Sequence, residues 1–407
     1  MSGKWPGGFI TKLAPTVVGP VDGEGGTASG IWTLDQVADY EEQGLWPKPG
    51  IPRGLWTWGW NAKGQLGDGT TVNKSSPVQV GALTTWTTQF SSGYDTAGAI
   101  ASDGTLWMWG EGGDGELGDG TTVDKSSPVQ VGALTDWSKL AAGKLHFLSI
   151  KTDSTLWAWG VGTTGQLGQG DILTKSSPVQ IGALTDWAQV SGGDASSFAI
   201  KTDGTLWSWG KNNNGQLGVG DTTDRSSPTQ VGALTTWAVV GFSSADSGCA
   251  IRTDGTLWTW GNNYSGALGQ GNTTKYSSPK QVGALTDWSK VNMGRYWGVA
   301  TKTDGTLWTW GYNLAGALGN GTITDTSSPA QVGALTNWSK AVGINNGAIA
   351  IKTDNTLWTW GRGNEGELGD GTLVSKSSPV QVGALTTWAA TLIGSAGGYS
   401  SGALQQP

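Results

Sequence analysis

From Gly54 to Leu404 the apolar residues come in short runs of four to seven positions, broken at close intervals by Gly, Asp, Asn, Ser and Pro. Runs this short, bounded by turn formers, predict strands rather than helices. The pattern also recurs. A Leu-Trp-x-Trp-Gly block starts at Leu55, Leu106, Leu156, Leu206, Leu257, Leu307 and Leu357, at spacings of 50 or 51 residues. Each block leads into a glycine-rich turn ending Leu-Gly, such as Gly64-Gln65-Leu66-Gly67, and then into Ser-Ser-Pro with Val-Gln-Val or a close variant. Gly-Ala-Leu-Thr-x-Trp follows, closing on Trp86, Trp137, Trp187, Trp237, Trp288, Trp338 and Trp388. A last apolar stretch then runs into Thr-Asp-Gly-Thr, as at Thr202-Asp203-Gly204-Thr205.

Each repeat therefore offers four short strands joined by turns, and Asp-Gly between apolar strands is a strong hairpin signal. A lone sheet of four short strands leaves both faces in water, whereas seven of them stacked around an axis cover one another. The expected fold is all-β: a seven-bladed β-propeller of four-stranded antiparallel blades over residues 51–407. Trp56 and Trp58 lie two positions apart and share a face, while Thr57 and its counterparts Met108, Ala158 and Ser208 take the other. Large surfaces should then meet small ones between blades. At the chain ends the recurring hairpin is cut, with Gly54 to Gly59 as one arm and Tyr399 to Leu404 as the other. The closing blade is expected to take two strands from each terminus.

Composition sharpens this picture in a few places. With 69 glycines and 14% charged residues the chain could pass for disordered, but 26 tryptophans exclude that. A net charge of −7 argues against a phosphate-binding surface, so no nucleic-acid partner is expected. No apolar run is long enough to span a bilayer, so no membrane insertion is expected, and the first thirty residues lack the regions of a signal peptide. Cys249 is the sole cysteine, which rules out an intrachain disulfide; its place in a predicted strand suits a small buried hydrophobe.

The repeats differ from one another mainly just before the Ala-Ile-type strand. Tyr94-Asp95-Thr96, Lys144-Leu145-His146, Asp194-Ala195-Ser196, Ala245-Asp246, Arg295-Tyr296-Trp297, Asn345-Asn346 and Ala396 to Tyr399 occupy this segment. Equivalent positions in a propeller share a face, so Tyr94, Asp95, Lys144, His146, Asp194, Asp246, Arg295, Tyr296, Trp297, Asn345 and Tyr399 form a candidate binding ring. Loops on a rigid scaffold are where binding residues concentrate, and Arg295, Tyr296 and Trp297 have the composition of a contact hot spot. Neutral drift at tolerant loop tips is the alternative reading. A second, weaker variable ring runs through Asn61, Glu111, Val161, Lys211, Asn262, Tyr312 and Arg362.

Little in the sequence points to catalysis, and no enzyme activity, metal or other cofactor is expected. His146 is the single histidine, and Cys249 lies in another repeat without a recognisable base. Asp68, Asp119 and Asp370 sit in Leu-Gly-Asp-Gly turns, but Gln169, Val219 and Gln270 replace them elsewhere. Calcium would need several oxygens converging on one site, so a turn role is expected for these acids.

Residues 1–50 lie outside the repeat. Thr33-Leu34-Asp35-Gln36 fits a capping box, Trp32 can staple onto Val37, and Gly44 with Pro47 and Pro49 ends the helix. A helix over about Leu34 to Gln43 cannot form a core alone, so Trp32, Leu34, Val37 and Tyr40 are candidate attachment residues.

Two resemblances extend these readings. Asp-Gly-Thr-Leu-Trp-x-Trp-Gly, followed by Asn-x-x-Gly-Gln-Leu-Gly and Ser-Ser-Pro, resembles the repeat of the regulator of chromosome condensation family over residues 54–404. That resemblance implies a propeller, with functions in the family that include guanine nucleotide exchange, chromatin binding, ultraviolet-B sensing and β-lactamase inhibition. The family's Gly-x-x-His-Thr stretch survives only in Gly143-Lys144-Leu145-His146, with Phe147 in place of the threonine. The plant light sensor's Gly-Trp-Arg-His-Thr is absent. Separately, Gly8 to Lys12, Ala28 to Gln36 and Gly44 to Pro47 resemble the N-terminal segment of tailed-phage virion proteins. That implies a virion-associated structural protein, attached to virion proteins through residues 1–50 and binding a host-surface glycan or protein through propeller loops. The alternative is a cytoplasmic or nuclear protein-interaction propeller, such as a GTPase exchange factor or an enzyme inhibitor.

Overall fold

The computed structural model describes residues 54–405 apart from 83–84, 242–245 and 395–397. The expected helix near Leu34, with Trp32, Val37 and Tyr40, lies outside the described residues. Among those described, twenty-eight strands, β1 to β28 in chain order, form seven four-stranded antiparallel sheets. One blade serves as a pattern: β3 (Trp86–Ser92), β4 (Thr96–Ala101), β5 (Leu106–Gly110) and β6 (Lys125–Gln130), paired in that order. Its first strand, β3, touches the first strands of both neighbouring blades, so these strands ring the axis and the Ser-Ser-Pro strands form the rim.

The closing blade, here blade 1, is built as the sequence predicts. β1 (Gly54–Gly59) and β2 (Lys74–Gln79) come from one end of the propeller, β27 (Trp388–Gly394) and β28 (Ser400–Gln405) from the other, in the order β2-β1-β28-β27. β1 pairs with β28 in unbroken register from Gly54–Gln405 to Gly59–Ser400.

Tryptophan geometry explains how blades interlock. In blade 2, Trp86 meets both Trp107 and Trp109, with ring centroids 6.5 and 6.1 Å apart, so all three share one face. The inner indole of each triad donates across the blade boundary. Trp109 Nε1 bonds the Gln65 carbonyl at 3.0 Å, Trp159 the Glu116 carbonyl at 2.9 Å, and Trp58 the Glu367 carbonyl at 3.0 Å, which carries the same hook across the closure. The opposite, small-residue face meets the next blade's triad: Met108 packs with Trp137, Phe147 and Trp159. The Leu-Gly of the preceding turn closes the joint. Gly118 has φ +66°, and a Cβ there would stand 2.8 Å from the Trp159 ring, so both backbone angle and space require glycine.

The Asp-x-Thr hairpin braces the outer tryptophan. Asp103 accepts from the Thr105 amide and hydroxyl at 3.0 and 2.6 Å, and that hydroxyl accepts from Trp107 Nε1 at 2.8 Å. Asp68 likewise accepts from the Thr70 amide at 2.9 Å and hydroxyl at 2.8 Å, the turn role expected of it. Cys249 sits buried in β16 (Ser247–Arg252), and burial pushes its thiol up to about 12.

One turn position carries a cost. Gln65, Gln166 and Gln216 each accept a backbone amide two residues back, from Lys63, Thr164 and Asn214. Glu116 does the same with the Asp114 amide, but its second oxygen is buried without a partner. Burial pushes this carboxyl up to about 7. A folded value above the unfolded one gives stability that is complete below about pH 4.5 and is lost as pH rises through about 7. Glu116→Gln should therefore raise stability at pH 8 by on the order of 1–2 kcal/mol and change little at pH 4.5. Thermal melts at both pH values check this; equal gains at both would assign the effect to something other than the carboxyl's ionisation.

Candidate functional site

The two variable rings lie on one face because a single backbone bond joins them in every blade. Glu111 N donates to Asp95 O at 2.8 Å, Val161 to Leu145 at 2.8 Å, Lys211 to Ala195 at 2.9 Å, Asn262 to Asp246 at 2.8 Å, Tyr312 to Tyr296 at 2.9 Å and Arg362 to Asn346 at 2.9 Å. In blade 1 the donor is Trp60, to Tyr399 at 3.0 Å. Trp60, not Asn61, therefore belongs to the second ring. Asn61 is fully buried, and its amide ties the turn together through the carbonyls of Thr70 and Val72 at 3.1 and 3.2 Å.

Three residues of the proposed binding ring are internal. His146 is fully buried at the start of β8 (His146–Lys151), its Nε2 2.9 Å from Ser197 Oγ. Desolvation pushes its imidazole down to about 3, so it is neutral near pH 7. Trp297, also fully buried, opens β20 (Trp297–Lys302) and donates to the Asn345 carbonyl at 3.2 Å. Asn345, in the two-residue turn between Ile344 and Gly347, is itself buried. As the first residue of its strand, each large ring lies between blades rather than on the loop. Each fills space left by a glycine, since a Cβ on Gly143 would strike the His146 ring and one on Gly294 the Trp297 ring. These three support the face and do not offer contact surface.

The remaining ring members are at the surface, tied largely to their neighbours. Lys144 stands over the Tyr94 ring at 5.3 Å and lies 3.5 Å from Asp194. Asp95 accepts from Gln65 Nε2 at 2.6 Å, and burial, aided by Glu111, pushes it up to about 6. Asp246 takes Lys211 at 3.2 Å together with the amides of Asn214 and Gln216 at 3.0 and 3.1 Å. Arg362 stands over Tyr399 at 4.1 Å. Burial raises the Tyr94 phenol, with Asp95 and Tyr399 adding to the shift and Arg295 opposing it, so tips from opposite sides of the ring feel one another.

One sector differs. Between blades 5 and 6, Tyr264 lies 5.0 Å from Tyr296 and 6.0 Å from Tyr312, centroid to centroid. Arg295 is exposed over the Tyr296 ring at 5.5 Å. With Asn262, Asn346 and Leu314 they line a pocket of about 400 Å³. Tyr264 and Leu314 are 56% and 57% exposed, so the pocket offers aromatic and aliphatic surface to water beside its polar side chains. Tyr296 holds φ +64°, a conformation costly for a bulky residue and typical of sites where function constrains backbone. Tyr264 and Leu314 were absent from the sequence-derived ring, although comparing repeats two positions beyond the second ring finds them. Their counterparts are Ala62, Gly113, Thr163, Asn213 and Asn364. Among the described residues no group of three or more His, Cys, Asp or Glu could hold a metal ion.

The repeat units match a known family. The RCC1-like domain model aligns with residues 53–348, well over half the chain, and the regulator of chromosome condensation (RCC1) repeat model with residues 354–404. The chain belongs to the RCC1-like family. Its resemblance to the RCC1 domain-containing protein RUG3, mitochondrial, of Arabidopsis thaliana is 34% identity over 96 residues, 23% of this chain and 22% of that protein. Less than a quarter of the curated relative is thus matched. The RCC1-like ring superimposes on human WBSCR16 with a TM-score of 0.77 at 20% identity, covering 87% of this chain and 99% of that one. Prp20p of Saccharomyces cerevisiae, solved in a study of its binding to Gsp1p and histones, gives 0.76 at 17% identity, covering 87% and 92%. Identities this low speak to the shared RCC1-like fold alone.

Proposed function

We propose that this RCC1-like propeller is a protein-binding module that docks its partner on the loop-bearing face, anchored by Tyr264, Tyr296, Tyr312 and Arg295. The observation that carries this is the aromatic–arginine pocket between blades 5 and 6. Tyr and Arg dominate binding hot spots because they bury large areas, hydrogen-bond at their tips and lose little side-chain entropy. The seven-fold scaffold would otherwise present near-identical surfaces, and this sector departs from the repeat where a partner could be told apart. Prp20p, which shares the fold, binds Gsp1p and histones, which supports a protein ligand over a catalytic role. The virion reading rests on residues 1–50, outside the described residues, and the propeller face adds nothing specific to it.

Biolayer interferometry with the immobilised propeller against Gsp1p and against core histones tests the reading. Binding is expected for at least one of them. The Tyr264→Ala/Tyr296→Ala pair should weaken it by roughly 30-fold or more, about 2 kcal/mol, with the melting temperature nearly unchanged. Unaltered affinity in the pair would move docking off this face, and no binding to either protein would remove these family partners.

A further inference from the structure

The seven strands around the axis carry three cations and no acid. Their sequences, WTTQFSS, WSKLAA, WAQVSG, WAVV, WSKVNM, WSKAVGI and WAATLIG, contain Lys139, Lys290 and Lys340, all at the second position after the tryptophan, but neither Asp nor Glu. In a chain of net charge −7 this is a local reversal of sign. Lys290 has a partner, donating to the Ser339 carbonyl of the next blade at 2.9 Å. Lys340 makes no such bond. It lines the central cavity, about 260 Å³, with Asn292, Ser91 and Ser191 among the polar residues of its wall. Among the described residues no carboxylate pairs with the Lys340 ammonium; burial and the neighbouring Lys290 push it down to about 8. At neutral pH it still carries its proton most of the time, and a half-buried charge without a counter-ion is costly.

We infer that the central channel is a binding site for a phosphate-sized oxyanion, held by the Lys340 ammonium with Lys290 beside it and with the serine hydroxyls of the wall as further donors. A tetrahedral oxyanion accepts several hydrogen bonds while supplying the missing negative charge. The cavity has room for the ion and part of its water shell. Nothing in the proposed docking face is needed for this site, since it stands on the axial strands.

Melting the full-length protein in sodium phosphate and in sodium chloride at equal ionic strength, pH 7, tests the site. Phosphate stabilises many proteins by exclusion from their surface, so the deciding quantity is the increment lost on substitution. Wild type should gain a few degrees in phosphate over chloride. Lys340→Met should lose most of that gain while melting in chloride at least as high as wild type, and Lys340→Arg should keep it. Phosphorus NMR line broadening should follow the same order. An equal gain in wild type and Lys340→Met, with equal line widths, would overturn the site. Broadening by wild type that Lys340→Met abolishes establishes it even if the melting gain is small.

Discussion

A chain ending at Ile393 should show no cooperative unfolding transition at all, because it lacks the strand that closes the ring. β28 is the only described link between the two halves of blade 1, pairing with β1 on one side and β27 on the other. Its loss removes Ala403 and Leu404, both fully buried, and leaves the paired edge of β1 without partners. Buried backbone groups without partners cost about 1–3 kcal/mol each, and β1 also carries Trp58, which hooks onto blade 7 through the Glu367 carbonyl. Unlike an open solenoid, a ring has no capped ends, so breaking it bares two tryptophan-sized interfaces at once. Circular dichroism and hydrogen exchange of the truncated chain check the expectation. Native-like protection in blades 3 to 5 would mean that the blades stand without closure. As a control, a hairpin joining β28 to β1, with new termini opened at another loop, should restore cooperative unfolding.

Trp159→Ala is expected to be the most damaging single substitution in a blade, at about 3–5 kcal/mol. Trp159 is fully buried, stacks on Phe147 with centroids 5.8 Å apart and meets Trp137 at 6.2 Å. It also donates to the Glu116 carbonyl in the preceding blade, so truncation leaves that acceptor unpaired as well as opening a cavity. Trp157→Ala is the informative contrast. Trp157 is only partly buried, lies beneath the Lys151 ammonium at 4.3 Å and bonds the Thr155 hydroxyl within its own hairpin. Its loss should cost well under half as much, since it is only partly buried and its indole donates within its own hairpin rather than to the neighbouring blade. Guanidinium denaturation of both variants decides the matter. Equal losses would show that the outer and inner tryptophans share the load, contrary to the one-sided hook.

Much of the fold was legible because its information is local and repeated seven times. Asp103-Gly104-Thr105 announces a hairpin in any context, and Trp-x-Trp places two rings on one face wherever the segment is a strand. Site details were less legible, for identifiable reasons. Trp60 looks like one more core tryptophan, although it follows Gly59 as Glu111 follows Gly110, and its backbone bond to Tyr399 places it in the second ring. His146 and Trp297 vary among repeats as loop residues do, yet they vary in the interior, because glycines at 143 and 294 leave room for their rings. Variation alone does not distinguish a surface from a cavity that has been refitted.

The period, the four strands of each blade, the tryptophan and glycine positions that join blades, and the split of the closing blade between the two ends can all be read from the residues alone. These depend on interactions within a repeat or between one repeat and the next, which the pattern encodes directly. Which side chains meet across the ring emerges only once the ring has closed. Phe90 of blade 2 and Lys340 of blade 7 line one cavity, and Tyr264, Tyr296 and Tyr312 gather from three separate turns into one pocket. Such meetings follow from the curvature and closure of the whole ring, a geometric property that belongs to no single repeat.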